Sequence, residues 1–353
     1  MKRALCLLLC ACALLTLCAC GAGSGEAGAV TLWCAEDDPL LPLLRQAVEE
    51  YNSGTGGGAL PVTLRAFADG EALANALNTA RPDLLLCSHT LAFSLEDRGL
   101  LTESGVSVPY PEELSARSGR VGRSLYPLGS RIQLLLSREG LSEPDLAALC
   151  EKCAAYGGEK RLPYLAVDSY ADLLCQVLLG SGEFHAYRAK DCFHAPFREA
   201  WNALAEAAFS GGLYVGEEPA LSLFAGGVPN ALVFSDTLTG GIPEGCALSA
   251  PDTGGLPLLA DLRCLAVLTR EGRQQRGTAA FLSWLFSAER AARLALSGGL
   301  IPALPCAADG DALSELLLTL RERPLWFADG GSDYVKNRAA FERDFRAAMD
   351  LLK

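Results

Sequence analysis

Arg81-Pro82-Asp83-Leu84-Leu85-Leu86-Cys87 decides the fold class. After Asp83 four residues follow with no polar side chain, closed off by Ser88. A strand with one wet face would alternate, so a short continuous apolar run is read as a strand buried on both faces of a helix-covered sheet. The chain upstream agrees. Val30-Thr31-Leu32-Trp33 is a β-type run, and Leu40, Leu43, Leu44, Ala47 and Tyr51 then recur at helical spacing until Asn52-Ser53-Gly54. Pro61 to Ala66 reads as a second strand and Glu71 to Ala80 as a second helix. Strands alternating with helices imply an α/β protein with a doubly wound, mostly parallel sheet.

Downstream the alternation breaks over residues 100–128, rich in Pro, Gly and Ser. It resumes with strand patterns at Ile132–Ser137, Leu162–Val167, Ala231–Phe234 and Leu262–Leu268. Helix patterns lie at Glu143–Ala155, Tyr170–Leu179, Phe197–Phe209, Pro219–Phe224, Thr278–Leu296, Ala312–Glu322 and Lys336–Leu352. Residues 238–259 read as a polar, Gly/Pro-rich connection, and no solenoid repeat is visible.

The N-terminus is a targeting segment. Lys2 and Arg3 precede an apolar run from Ala4 to Leu17, which is too short to span a bilayer comfortably. Leu17-Cys18-Ala19-Cys20-Gly21 resembles a bacterial lipobox, with Cys20 as the acylated residue, so residues 1–19 are expected to be a lipoprotein signal peptide. The small residues of 20–28 suit a flexible tether, and a diacylated cysteine would anchor the chain stably. What remains is long enough for two lobes, each with its own core.

The chain of 353 residues carries a formal charge of −12, which argues against a nucleic-acid partner. It also disfavours a large anionic ligand, although a local site can override the global sign. Of fourteen cysteines, five lie in residues 1–20, and the other nine include Cys150-Glu151-Lys152-Cys153. Nine cannot all pair within one chain, and most sit in apolar patterns where a thiol acts as a small hydrophobe. The lone CxxC lacks a second pair at zinc-site spacing, and His185, Cys192 and His194 match no ligand pattern, so no metal is expected. Neither a Gly-x-Ser-x-Gly elbow, nor a Walker-A loop, nor a His-Glu-x-x-His helix occurs, so no cofactor and no catalytic residues are assigned.

Several segments, taken in order, resemble the extracellular solute-binding proteins of ABC importers. They are Val30-Thr31-Leu32-Trp33, then Arg81-Pro82-Asp83 with its apolar strand and Arg98-Gly99-Leu100-Leu101-Thr102, then Leu125-Tyr126-Pro127 with Ile132–Ser137. Ala279 to Glu289, running on to Gly298-Gly299-Leu300-Ile301-Pro302-Ala303, completes the set. The resemblance implies a two-lobed periplasmic-binding-protein-like fold of type II with two hinge crossovers. On that plan lobe 1 takes 29–130 plus 262–305 and lobe 2 takes 131–261 plus 306–353. It further implies a monomeric, non-enzymatic lipoprotein on the extracellular face of the membrane, delivering a small solute to ABC importer permease subunits. A lipid-anchored sensor or scavenger of the same fold and a two-lobed hydrolase stand as the alternatives.

Such a fold places strand ends at a shared cleft, and candidate contacts follow from position. Trp33 ends the first strand and precedes Glu36, Asp37 and Asp38, acids that could equally cap a helix. Ser88 and His89 follow the Leu84 strand; Tyr126, Ser130 and Arg131 precede the first crossover; Ser235, Asp236 and Thr237 follow the Ala231 strand. Asp261 precedes the return crossover, and Trp326 with Tyr334 flanks the polar loop Asp329–Asp333. The acidic cluster leans toward a neutral or cationic solute, a carbohydrate or another small polar molecule.

Overall fold

The computed structural model describes residues 28–54, 60–115, 118–141, 145–156, 162–180, 195–253, 255, 257–268, 272–327 and 333–352. The leader, Cys20, most of the tether, the trio His185, Cys192 and His194, and the loop at 328–332 lie outside them.

The first sheet begins with β1 (Val30–Ala35), α1 (Leu41–Gly54), β2 (Val62–Phe67), α2 (Gly70–Ala76), β3 (Leu84–Ser88) and α3 (His89–Asp97). β1 lies parallel between β2 and β3. Asp83 ties this pairing down: its Oδ2 accepts from Thr31 N at 2.7 Å and from Thr31 Oγ1 at 2.9 Å. After the short α4 (Glu112–Ser115), β4 (Leu125–Arg131) enters the same sheet, and one residue later β5 (Gln133–Ser137) belongs to a second.

The second sheet has the order β6-β7-β5-β8, from β6 (Leu165–Val167), β7 (Asn230–Phe234) and β8 (Ala247–Ser249). Around it lie α5 (Leu146–Ala155), α6 (Tyr170–Gly180), α7 (Ala195–Phe209) and α8 (Ala220–Ala225), and a single 3-10 turn, Ser235–Leu238, follows β7. The chain returns through β9 (Leu258–Val267), which pairs antiparallel with both β3 and β4. Then come α9 (Gly272–Leu285), α10 (Arg290–Ser297), β10 (Ile301–Pro302), α11 (Ala312–Leu320), β11 (Leu325–Phe327) and α12 (Asp333–Leu352). β10 pairs with β4 and β11 with β9, α11 packs on β10, and α12 packs on α6 and α7.

Both sheets are therefore mixed, where a mostly parallel arrangement was expected. The cause is the pair of crossover strands. β4 leaves for the second sheet while β9 comes back from it, so the two run antiparallel side by side.

The expectation for the Leu84 strand holds. Leu84 and Leu86 face one cluster, under α1, α9 and α10, while Leu85 and Cys87 face another beneath α2 and α3. The latter cluster continues across the crossovers to Leu134, Leu136, Ala231 and Val233 on one face of the second sheet. The opposite face of that sheet, with Leu135, Leu165 and Leu232, is closed by α5, α6, α7 and α12. The eight described cysteines carry free thiols, six of them buried. Burial lifts the Cys34 thiol to about 11 and those of Cys87 and Cys150 to about 12. Among the described residues no helix is long and apolar enough to cross a membrane.

Candidate functional site

Where the two sheets meet, strand ends converge on an open groove of about 320 Å³. From the first sheet come Ser88 at the end of β3, His89 and Thr90 at the start of α3, Arg131 ending β4, and Asp261 and Arg263 of β9. The second contributes Gln133 at the start of β5, Phe234 ending β7, Asp172 and Gln176 on α6, and Arg338 on α12. Ser88, Arg131 and Phe234 end strands and Gln133 begins one, Asp261 and Arg263 alternate with buried residues of β9, and Asp172, Gln176 and Arg338 reach in from helices.

A charge network forms the floor. Arg131 and Asp261 are register partners on β4 and β9, and Arg131 Nη2 donates to Asp261 Oδ2 at 3.0 Å. Arg263 Nη2 reaches the same oxygen at 3.6 Å, and its Nη1 lies 3.8 Å from Asp38 Oδ2. Arg131 Nη1 is 3.6 Å from Asp236 Oδ2, which carries the network onto the second sheet's side. Burial alone would raise the Asp261 carboxyl, but Arg263 and Arg131 outweigh it and hold that group well below the usual carboxylate range. At Asp38 and Asp236 burial wins over the nearby guanidinium groups, and both carboxyls lie above their usual value.

The aromatic ring of Phe234 sits beneath two cations. The Arg131 guanidinium carbon is 4.2 Å from the ring centre and that of Arg338 is 5.9 Å away. Arg338 in turn donates to Asp172 Oδ2. His89 is 2% exposed; its Nδ1 accepts from Leu262 N at 3.1 Å and lies 3.4 Å from Asp261 Oδ1. Together the groups make a polar, donor-rich cleft with one aromatic surface, suited to holding a small polar molecule.

The structure brings Ser88, His89, Arg131 and Asp261 to the groove and sets Asp236 directly behind Arg131. The other candidates stand elsewhere. Tyr126 is fully buried in the first lobe, its hydroxyl 2.5 Å from Ser104 Oγ and donating to Val106 O. It precedes the crossover in sequence but points to the opposite face of β4 from the groove. Trp33 packs on Phe67 with Arg65 over its ring. Glu36 and Asp37 are exposed beyond β1, while Asp38 accepts from Leu40 N at the start of α1. Thus Glu36 and Asp37 stand outside the groove, while Asp38 both caps the α1 entry and pairs with Arg263 of the groove floor. Ser130 is buried in the β4 ladder between Leu262 and Ile301. Ser235 is buried with its hydroxyl toward Ile132 N, and the exposed Thr237 bonds its own turn at Phe234 O. Trp326 lies on β11 against the second lobe's core and does not line the groove.

Sequence reading missed Gln133, Asp172, Gln176, Phe234, Arg263 and Arg338. Phe234 and Arg263 were in reach, one residue from Ser235 and two from Asp261. Asp172, Gln176 and Arg338 lie inside helices, where nothing local marks a residue as facing a cleft. Among the described residues no group of three His, Cys, Asp or Glu could hold a metal ion.

No protein-family model and no curated protein matches the sequence. Solved structures match in fold. The GacH receptor of Streptomyces glaucescens, known in complex with acarbose, is 13% identical over 92% of this chain and 92% of its own, with a TM-score of 0.69. The spermidine/putrescine ABC transporter substrate-binding protein of Streptococcus pneumoniae is 13% identical over 92% and 99%, at 0.66. UgpB from Mycobacterium tuberculosis, in complex with glycerophosphocholine, is 16% identical over 92% and 99%, also at 0.66. The likeness extends over nearly the whole of each chain, and with the crossover topology it assigns this chain the two-lobed periplasmic-binding-protein fold of type II.

Proposed function

We propose that the chain captures a small polar solute in the groove between its lobes and hands it to an ABC importer, held on the extracellular face of the membrane by a lipid on Cys20. The observation that carries this reading is the groove itself: its walls come from both sheets, and the sheets are joined by strands that pass through its floor. A solute touching both walls favours a closed form, the differential affinity that a carrier needs. The fold neighbours named for ABC transport support the role. The reading is tested in three measurements. A bound solute should raise the melting temperature and be recovered chemically unchanged after prolonged incubation. Deletion of the gene should abolish its uptake by cells. Labelled palmitate should enter the wild-type chain and not Cys20→Ser. Turnover of the solute, or uptake indifferent to the deletion, would overturn the transport role.

A further inference from the structure

The groove's unfilled hydrogen bonds have one sign. Arg131 Nε, Gln133 Nε2 and Arg263 Nε are buried without a partner, and two of the three are guanidinium nitrogens, which can only donate. Among the described residues lining the groove, no buried acceptor stands in the same condition; Asp236 Oδ1, also without a partner, lies behind Arg131 and outside the lining. A buried donor left unpaired is costly, so the missing partner is an acceptor that arrives with the solute. Three guanidinium groups, of Arg131, Arg263 and Arg338, line the groove beside two carboxylates, Asp172 and Asp261, while Asp236 and Asp38, which pair with Arg131 and Arg263, stand behind the lining. Glu36 and Asp37, which would have drawn a cation, lie outside it. Phe234 holds Arg131 and Arg338 over one ring, so both present to the same space.

From these contacts we infer that the groove takes an anionic solute, a carboxylate or a phosphate monoester, seated between Arg131 and Arg338 with Gln133 as a neutral donor. This rests on the solute-binding reading and narrows it. Guanidinium groups suit such oxyanions because they offer paired N–H donors in the plane of the acceptor.

The test uses the full chain purified in detergent. Succinate and glycerol 3-phosphate are compared by melting temperature and calorimetry with maltotriose and spermidine, all at matched ionic strength in chloride. At least one of the two anions should stabilise the protein beyond the chloride control. Its Kd should weaken about tenfold or more in Arg131→Gln, the loss of a charge-assisted contact. Because Arg131 also belongs to the ion network, Gln133→Met is the second variant: its Nε2 has no partner to lose, so the unliganded melting temperature should hold while anion affinity falls several-fold. Binding of maltotriose or spermidine without either anion would overturn the anionic class and leave the solute-binding reading intact. An anion response unchanged in both variants would place the anion elsewhere and equally overturn the inference. So would no response to either anion.

Discussion

At the residue scale, two aspartates show how the same side chain serves opposite ends. Asp83 accepts two hydrogen bonds from Thr31 and so locks β3 to β1. Asp83→Ala strands a backbone N–H at a sheet interior, and we expect a loss of about 2 kcal/mol, read as a lower urea midpoint at unchanged slope. Asp83→Asn keeps an acceptor and should lose less. Asp236 works the other way: burial, only partly offset by Arg131 and Arg263, lifts its carboxyl above the usual 3.8. Between 3.8 and that raised value the native state binds more protons than the unfolded chain, so its contribution to stability falls as pH rises through this window. Asp261 is shifted downward, so its contribution is present above the unfolded value and is lost only as acid protonates the native carboxylate. Asp236→Asn should accordingly be more stable than wild type at pH 7 and show no such gain at pH 3. Urea midpoints across that range decide it, and an equal effect at both ends would refute the assignment.

At the element scale, the turn between α10 and β10 joins the lobes at close quarters. Gly299 has φ +73°, and a Cβ there would stand 2.6 Å from Ser235 O and 2.7 Å from Asp236 Cα. Both the left-handed backbone and the contact across to the second sheet exclude a side chain. Gly299→Ala should cost on the order of 2–3 kcal/mol by equilibrium unfolding, the backbone strain adding to a forced shift of the Ser235 turn. A cost near zero would mean the turn moves freely and does not brace the lobes. Gly298-Gly299-Leu300-Ile301-Pro302 was conspicuous in the sequence, and here is its physical reason. Other elements were legible because their periodicity was clean: the Leu84 strand, the amphipathic α1, the paired apolar strands β5 and β7. The Thr278–Leu296 pattern read as one helix but is two, because Ala288 and Glu289 adopt left-handed φ of 50° and 62°, a conformation that no turn residue announces. β8, β10 and β11, each two or three residues long, exist through pairing with distant partners and leave no local pattern. The site was half legible for the same reason. Residues at strand ends could be placed by rule, while Tyr126 failed because its orientation depends on which face of β4 is packed.

At the scale of the whole molecule, the groove and the hinge are one structure. β4 passes into β5 across Ile132, and β9 runs back beside it, so the residues that line the groove, Arg131, Gln133 and Asp261, are those that flank the crossovers. A solute drawing Arg131 and Gln133 on the hinge toward Asp172 and Arg338 on the far wall therefore pulls directly on the joint between lobes. The work is small in structural terms, since each lobe keeps its own sheet and outer core while the torsions at the crossovers change. It is affordable because binding at a solute concentration of about 100 Kd contributes ~2.7 kcal/mol to the liganded form. Small-angle scattering of the full chain in detergent-matched buffer should thus show a smaller radius of gyration with a saturating solute than without, and the contraction should vanish in any variant that no longer binds. An unchanged radius at saturation, with binding verified by calorimetry on the same sample, would separate capture from closure and remove the hinge from the mechanism.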